Sequence, residues 1–485
     1  MTPTDPYQEQ RIAFVRSLHQ TPAQIAMSLS GGGTLALSDL LTVPGGSKTI
    51  IEAIVPYSQE SLRRYIGRTP EQFCCQRTTR YLAMTAFHHG RGTIRSKMFY
   101  ESGKPVPHIR PRSIDVSHDP DDSVHSSSGI ILPSISEELD AYLNLIGVGC
   151  TAALSTDRRK KGNYRVHVAI QTLRRTILFS LVLQKESRTR WEEERLVGDL
   201  ILNAIETTRQ AAFSASPVPT LSENDAGDEN NLFCDTFGHG TTDDFPLKQI
   251  IPLQLKPGET IQGKQVVGSA PLVDLFFGKI WAVLWRNGKI AHFIPRNEIT
   301  SKHEIFYNPC AAFTQAIFPG SFNPVHRGHL EMIDIAEQRL KSLVALEISV
   351  QNVDKPPMDY IELQYRLDQL VKARPSQAVW FTQTPLFEDK ADLFRGTTFV
   401  VGADTLRRFA DLKFYHESTH QLHDVLRMIA FHNCRFLVFA RKTADGFESL
   451  QTLEIPDMLR SLCDGISEET FATDISSTEL RRGEF

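Results

Sequence analysis

No stretch of this chain holds the ~18–20 uninterrupted apolar residues of a membrane-spanning helix, so no membrane partner is expected. Net positive charge is also missing. Lysine and arginine total 53 against 57 aspartates and glutamates, a balance of −4, which argues against a nucleic-acid partner held by bulk charge. The seven cysteines are odd in number and scattered, at Cys74, Cys75, Cys150, Cys234, Cys310, Cys434 and Cys463. They form neither a zinc motif nor a disulfide framework and suit reduced thiols. His108, His118 and His125 lack ligand spacing, so no metal site is expected. The polar opening Met-Thr-Pro-Thr-Asp-Pro does not look like a secretory signal, and a cytoplasmic location is expected.

What is present is ordinary globular composition, 41% hydrophobic and 23% charged, over 485 residues, enough for two to three domains. The most informative stretch is Phe318-Pro-Gly-Ser-Phe-Asn-Pro-Val-His-Arg-Gly-His-Leu330. Phe313–Phe318 before it alternates like a short strand. Pro319, Gly320, Asn323 and Pro324 break the strand into a turn. Leu330, Ile333, Ala336 and Leu340 then follow at helical spacing, so a helix opens near His326. His326 and His329, three apart, share one face at the helix entrance. Their ring donors, with the unpaired N–H groups of a helix N-terminus, suit a phosphate chain.

Beyond this loop, strands and helices alternate. Val344–Val350, Ala378–Thr382, Thr398–Val401 and Arg435–Arg441 read as strands, and Ile361–Lys372 and Phe387–Phe394 as helices. That order implies an α/β fold with a doubly wound parallel sheet. The chain closes with Asp474-Ile-Ser-Ser-Thr-Glu-Leu-Arg481. Ser476, Ser477 and Thr478 offer capping hydroxyls, and Arg481 offers a charged fork for phosphate oxygens.

The H-x-G-H and I-S-S-T-x-x-R pair resembles the signatures of a nucleotidyltransferase superfamily. With Asn352-Val-Asp-Lys355-Pro, Thr384-Pro and Gly402-Ala-Asp404, the order is similar to the adenylyltransferases acting on nicotinate or nicotinamide mononucleotide. The resemblance implies a Rossmann-like domain over residues 311–485 that transfers AMP from ATP to a mononucleotide and releases pyrophosphate. It implies catalytic roles for His326, His329 and Arg481. Gly320, Ser321, Phe322, Asn323, Gly402, Asp404, Ile475, Ser476, Ser477 and Thr478 would bind the nucleotide. Lys355, Thr384 and Phe409 would meet the acceptor. Mg²⁺ would accompany the ATP substrate, with no dedicated protein cage. The tryptophan usual after the Gly-Ala-Asp turn is absent, and Phe409, Phe414 or Tyr415 stands in its place. Two alternatives stay open: adenylyl or cytidylyl transfer to another phosphorylated metabolite, and a non-catalytic nucleotide-binding scaffold. The partners expected are small nucleotide substrates, with self-association left open.

The first part of the chain reads as an amphipathic helix over 7–27, a glycine loop Ser28-Leu-Ser-Gly-Gly-Gly-Thr34, a helix from Leu35 and a strand from Ile50. Glycines ahead of a helix suggest approach to an anion or small ligand. With Gly147-Val-Gly-Cys-Thr and Gly162–Gln171, this order resembles the C-terminal domain family of CinA (competence-damage-induced protein A). Active members of that family deamidate nicotinamide mononucleotide through a serine in an E-S-C-T-G-G loop. Ser30, Gly31, Gly32 and Gly33 occupy that place here without the glutamate, so a vestigial site without deamidase activity is expected. The domain spans 7–210, with a mobile insertion at 102–129. A capping box at Thr189 and Glu192 opens its last helix. Residues 211–245 read as a linker and 246–310 as a β-rich connecting region. Its β-like runs include Val273–Phe277 and a hairpin turning at Arg286-Asn-Gly-Lys289.

Overall fold

The computed structural model describes residues 6–101, 141–157, 161–214, 238–295, 314–351, 357–415, 417–443 and 446–471. The 102–129 insertion, most of the linker, Lys355 and the tail from Asp474 lie outside the described residues.

The first sheet contains β1 (Gln24–Ser30), β2 (Ile50–Ile54), β3 (Leu145–Ala153), β4 (Tyr164–Gln171), β5 (Arg175–Leu183), β6 (Gly238–Thr242) and β7 (Ile261–Gly268). Their order is β2-β1-β3-β4-β5-β7-β6. β1 runs parallel to β2 and β3, and the remaining pairs are antiparallel. The Gln76–Glu101 helix lies against this sheet. Two strand glycines allow the close approach: a Cβ at Gly147 would stand 2.5 Å from the Ala83 carbonyl oxygen, and one at Gly149 2.3 Å from that of Thr79. Gly147-Val-Gly149 therefore serves helix-on-sheet packing. The Arg190–Ser214 helix opens with the expected box. Thr189 N donates to Glu192 Oε2 at 2.7 Å, and Glu192 N to Thr189 Oγ1 at 3.3 Å.

The second sheet contains β8 (Ile280–Arg286), β9 (Lys289–Pro295), β10 (Ala316–Pro319), β11 (Val344–Ser349), β12 (Val379–Thr382), β13 (Thr398–Gly402), β14 (Arg435–Phe439) and, after a two-stranded ribbon of β15 (Arg441–Thr443) and β16 (Gly446–Glu448), β17 (Cys463–Ile466). The order is β17-β14-β13-β10-β11-β12-β8-β9. The six strands from β17 to β12 are parallel, β8 is antiparallel to β12, and β9, antiparallel to β8, forms the edge. Chain order runs outward in both directions from β10, to β11 on one side and β13 on the other. That reversal opens a crevice at the carboxyl ends of these strands.

Three expectations change. The 246–310 region is divided between the sheets: β7 joins the first, and the β8–β9 hairpin joins the second. Val273–Phe277 belongs to a helix, Ala270–Phe277. Pro271 in its first turn and left-handed Gly278 at its C-cap favour a helix over the strand that its apolar run suggested. The amphipathic helix expected over 7–27 ends at Leu18, and Gln24–Ser30 forms β1, central and almost fully buried. The two halves also share apolar packing. Ala83, Met84 and Phe87 of the first belong to one buried cluster with Leu272, Phe276, Tyr360 and Leu367.

Candidate active site

After β10 the chain turns through residues 320–325 into the Arg327–Leu340 helix, with His326 at its N-cap. Phe322 takes φ +43°, a left-handed conformation uncommon for a residue with a Cβ. Its buried ring meets Phe318 edge-on at 5.2 Å and His329 at 5.1 Å. That ring explains Gly320, where a Cβ would stand 2.7 Å from Phe322 Cζ.

His326 and His329 are stacked, with centroids 3.7 Å apart and planes within 24°. The His326 backbone N–H donates to His329 Nδ1 at 3.2 Å. An accepting ring nitrogen carries no proton, so neutral His329 holds its proton on Nε2. Burial, then His326, then Arg441 lower the His329 pKa to about 3. Burial and Arg441 also lower that of His326. The pair is therefore neutral at pH 7, offering N–H donors without fixed positive charge. His326 Nδ1 is buried with no hydrogen-bond partner among the described residues.

A cavity of about 350 Å³ begins at Gly320 and Ser321 and extends to Asp404 and Thr405 beyond β13. Phe387, Phe409, Phe414 and Tyr415 give it an aromatic wall, while Arg366 and Arg408 supply cations. On its inner side Lys390 Nζ lies 2.7 Å from Glu347 Oε1 and donates to the Thr384 carbonyl at 2.5 Å. The Thr382 hydroxyl donates to the same Glu347 oxygen. The two histidines are not among the lining residues, so the loop has a histidine end and a cavity end, joined at Gly320–Ser321.

The crevice thus gathers Gly320, Ser321, Asp404 and Phe409 from the expected set. Phe322 and Asn323 turn inward: the Asn323 amide donates to Glu362 Oε1 at 2.6 Å. Gly402 precedes the Ala403–Phe409 helix as its N-cap. Thr384 is buried, its hydroxyl donating to Thr382 Oγ1 at 2.9 Å, and it does not line the cavity. Lys355, Ile475, Ser476, Ser477, Thr478 and Arg481 lie outside the described residues. Sequence reasoning passed over Arg366, Glu347, Lys390, Arg408 and Arg441. Two had a signal. Glu347 is a carboxylate inside a strand otherwise too apolar to hold one unpaired, and Arg441 follows a parallel strand at its ligand-facing end.

In the first domain the glycine loop is already capped. Glu194 Oε1 accepts from Gly33 N at 2.8 Å, Thr34 N at 2.6 Å and Thr34 Oγ1 at 2.9 Å. A protein carboxylate therefore takes the place expected for an anionic ligand. The Ser30 hydroxyl donates to the Pro56 carbonyl at 3.1 Å. Gly31, Gly32, Tyr57, Arg190 and Trp191 border a shallow cavity beside it.

Residues 317–483 match the family described as cytidylyltransferase-like. This segment is a cytidylyltransferase-like domain, which supports a nucleotidyltransferase activity in general. No curated protein matches the chain. The transferase domain so defined covers β10–β14 and β17 and contains both histidines and the cavity.

Proposed function

We propose that the chain transfers a nucleotidyl group from a nucleoside triphosphate to a phosphorylated small molecule, with adenylyl transfer to nicotinamide or nicotinate mononucleotide as the leading reading. The observation that carries it is the meeting, at the β10/β13 crevice, of a neutral histidine pair with a cavity that has an aromatic wall and two arginines. A mononucleotide has a planar base for the aromatic wall and a phosphate for Arg366 or Arg408. In the reaction, an acceptor phosphate oxygen attacks the α-phosphorus in line and pyrophosphate leaves with the electron pair of the broken bond. Orientation and charge stabilisation suffice, and no covalent intermediate is needed. His329 Nε2–H and the N–H groups of the helix entrance would donate to the phosphate oxygens. Magnesium would be held by phosphate oxygens and water.

A second reading, cytidylyl transfer to a different phosphorylated metabolite, is favoured by the family match and by the lack of tryptophan between Thr405 and Tyr415. Pyrophosphate release from ATP and from CTP, measured against a panel of mononucleotides and sugar or alcohol phosphates, separates the two. Release only with ATP and a pyridine mononucleotide fits the first reading, and release only with CTP and another acceptor replaces it. Release with none overturns both. The resemblance of the first domain to deamidases is read as descent without turnover, because Glu194 fills the helix entrance and Ser30 hydrogen-bonds a carbonyl.

A further inference from the structure

The first domain reaches the loop of the transferase site through one buried guanidinium. Arg80, on the Gln76–Glu101 helix, donates to Asp359 Oδ1 at 3.3 Å and to Glu362 Oε2 at 3.0 Å. Asp359 caps the Tyr360–Ala373 helix and Glu362 lies in its first turn; both carboxylates are buried. The other Glu362 oxygen faces the transferase side. Oε1 accepts from Asn323 Nδ2 at 2.6 Å and from Arg366 Nε and Nη2 at 3.1 and 2.9 Å. Arg366 Nη1 in turn donates to the Ser321 carbonyl at 3.0 Å. Ser321 and Asn323, on either side of Phe322, are thus tied to a single carboxylate. Arg366 from its own helix, and Arg80 and Arg77 from the first domain, balance its charge. Burial alone would raise the Glu362 pKa; Arg366, then Arg80, then Arg77 hold it down at about 2.

We propose that Arg80 is a positioning residue for the transferase site: it fixes Glu362, and through Glu362 the Ser321–Asn323 loop, so that the first domain sets the geometry of the second. A buried carboxylate that loses one of its cations must take up a proton or turn toward those that remain. Either change weakens the hold of Oε1 on Asn323, and Phe322 and His329 rest on that loop. The catalytic consequence rests on the transferase reading; the rigidity of the loop does not. The junction also has a contact that bypasses the loop, because Tyr360 OH donates to the Leu173 carbonyl at 2.7 Å.

Native-state hydrogen exchange on the full chain tests this, read at the amides of Gly320, His326 and His329. These donate to Glu347 O, His329 Nδ1 and His326 O respectively. Loss of a charged hydrogen bond in Arg80→Met is expected to speed their exchange roughly tenfold to hundredfold. Arg80→Lys, which keeps the charge and loses the fork, should fall between that variant and the native chain. Tyr360→Phe, which weakens the junction elsewhere, should leave the three amides unchanged. In a transferase assay Arg80→Met should lower kcat by roughly tenfold to hundredfold, with KM moved much less. Native protection in Arg80→Met, or equal loosening in Tyr360→Phe, overturns the relay. If Arg80→Met does not fold, Arg80→Lys against Tyr360→Phe decides by the same criterion. Exchange needs no substrate, so a chain that transfers nothing would remove the transferase reading and still leave the relay to be judged.

Discussion

Glu347 shows most plainly how a single residue can mark a site. It sits in β11 among Val344, Ala345, Leu346 and Ile348, all buried, and its carboxylate is matched by Lys390 from a helix on another part of the chain. Removing one member of a buried pair strands the other charge. Lys390→Met is therefore expected to cost about 3–5 kcal/mol in urea unfolding, with most of it recovered in Glu347→Gln/Lys390→Met. An undisturbed midpoint in the single variant would show that the pair is not desolvated. The histidines set an acid limit. His329 is held near 3 and His167 near 4, mainly by burial, against an ordinary 6.5. Between about pH 6.5 and 4 the unfolded chain binds protons at these rings that the folded chain refuses. Stability should therefore fall as the pH falls, by at most about 1.4 kcal/mol per pH unit for each ring. Denaturation at pH 7, 6 and 5 reads this slope, and a flat profile would mean the rings are open to protons. The placing of His326 and His329 together at a helix entrance was legible in the sequence, because turn residues and helical spacing are local. The pairing of Glu347 with Lys390 was not, since nothing in the intervening chain announces the contact.

At the scale of elements, the strand–loop–helix unit at Phe318–Leu340 follows from its turn residues and helical spacing, and the structure has it. The sequence alone does not show why Gly320 must be glycine: the reason is the Phe322 ring turned beneath it. Gly320→Ala should push that ring, and with it His329, lowering turnover roughly tenfold or more in steady-state kinetics; native kcat would mean the ring yields freely. The hairpin turn at Asn287-Gly288 was also readable, because both residues take positive φ, 53° and 83°, as a two-residue turn requires. Where reading failed, at Val273–Phe277 and at Gln24–Ser30, a short apolar run had no period to separate helix from strand, and tertiary packing decided. The glycine loop before Thr34 was visible, but its capping by Glu194 from a distant helix was not. With the loop capped, nicotinamide mononucleotide incubated with the full chain should release no ammonia. Ammonia release that disappears in Ser30→Ala would show an active first domain.

Across the whole molecule, two α/β sheets meet along the Gln76–Glu101 and Tyr360–Ala373 helices, and the region expected to connect them is absorbed into both. The parallel sheet of the transferase domain was predictable from alternating elements. The junction was not, because its ion cluster joins residues some 280 positions apart. The transferase claim itself is tested most directly with ATP or CTP labelled at the α-phosphorus, incubated with a mononucleotide and separated by chromatography. Label should pass to an acceptor-containing dinucleotide, with unlabelled pyrophosphate released in equal amount. His329→Ala should cut the rate about 100-fold or more while the triphosphate still binds. Label that remains in nucleoside triphosphate or appears only as free monophosphate, or a rate unchanged in His329→Ala, would contradict the assignment.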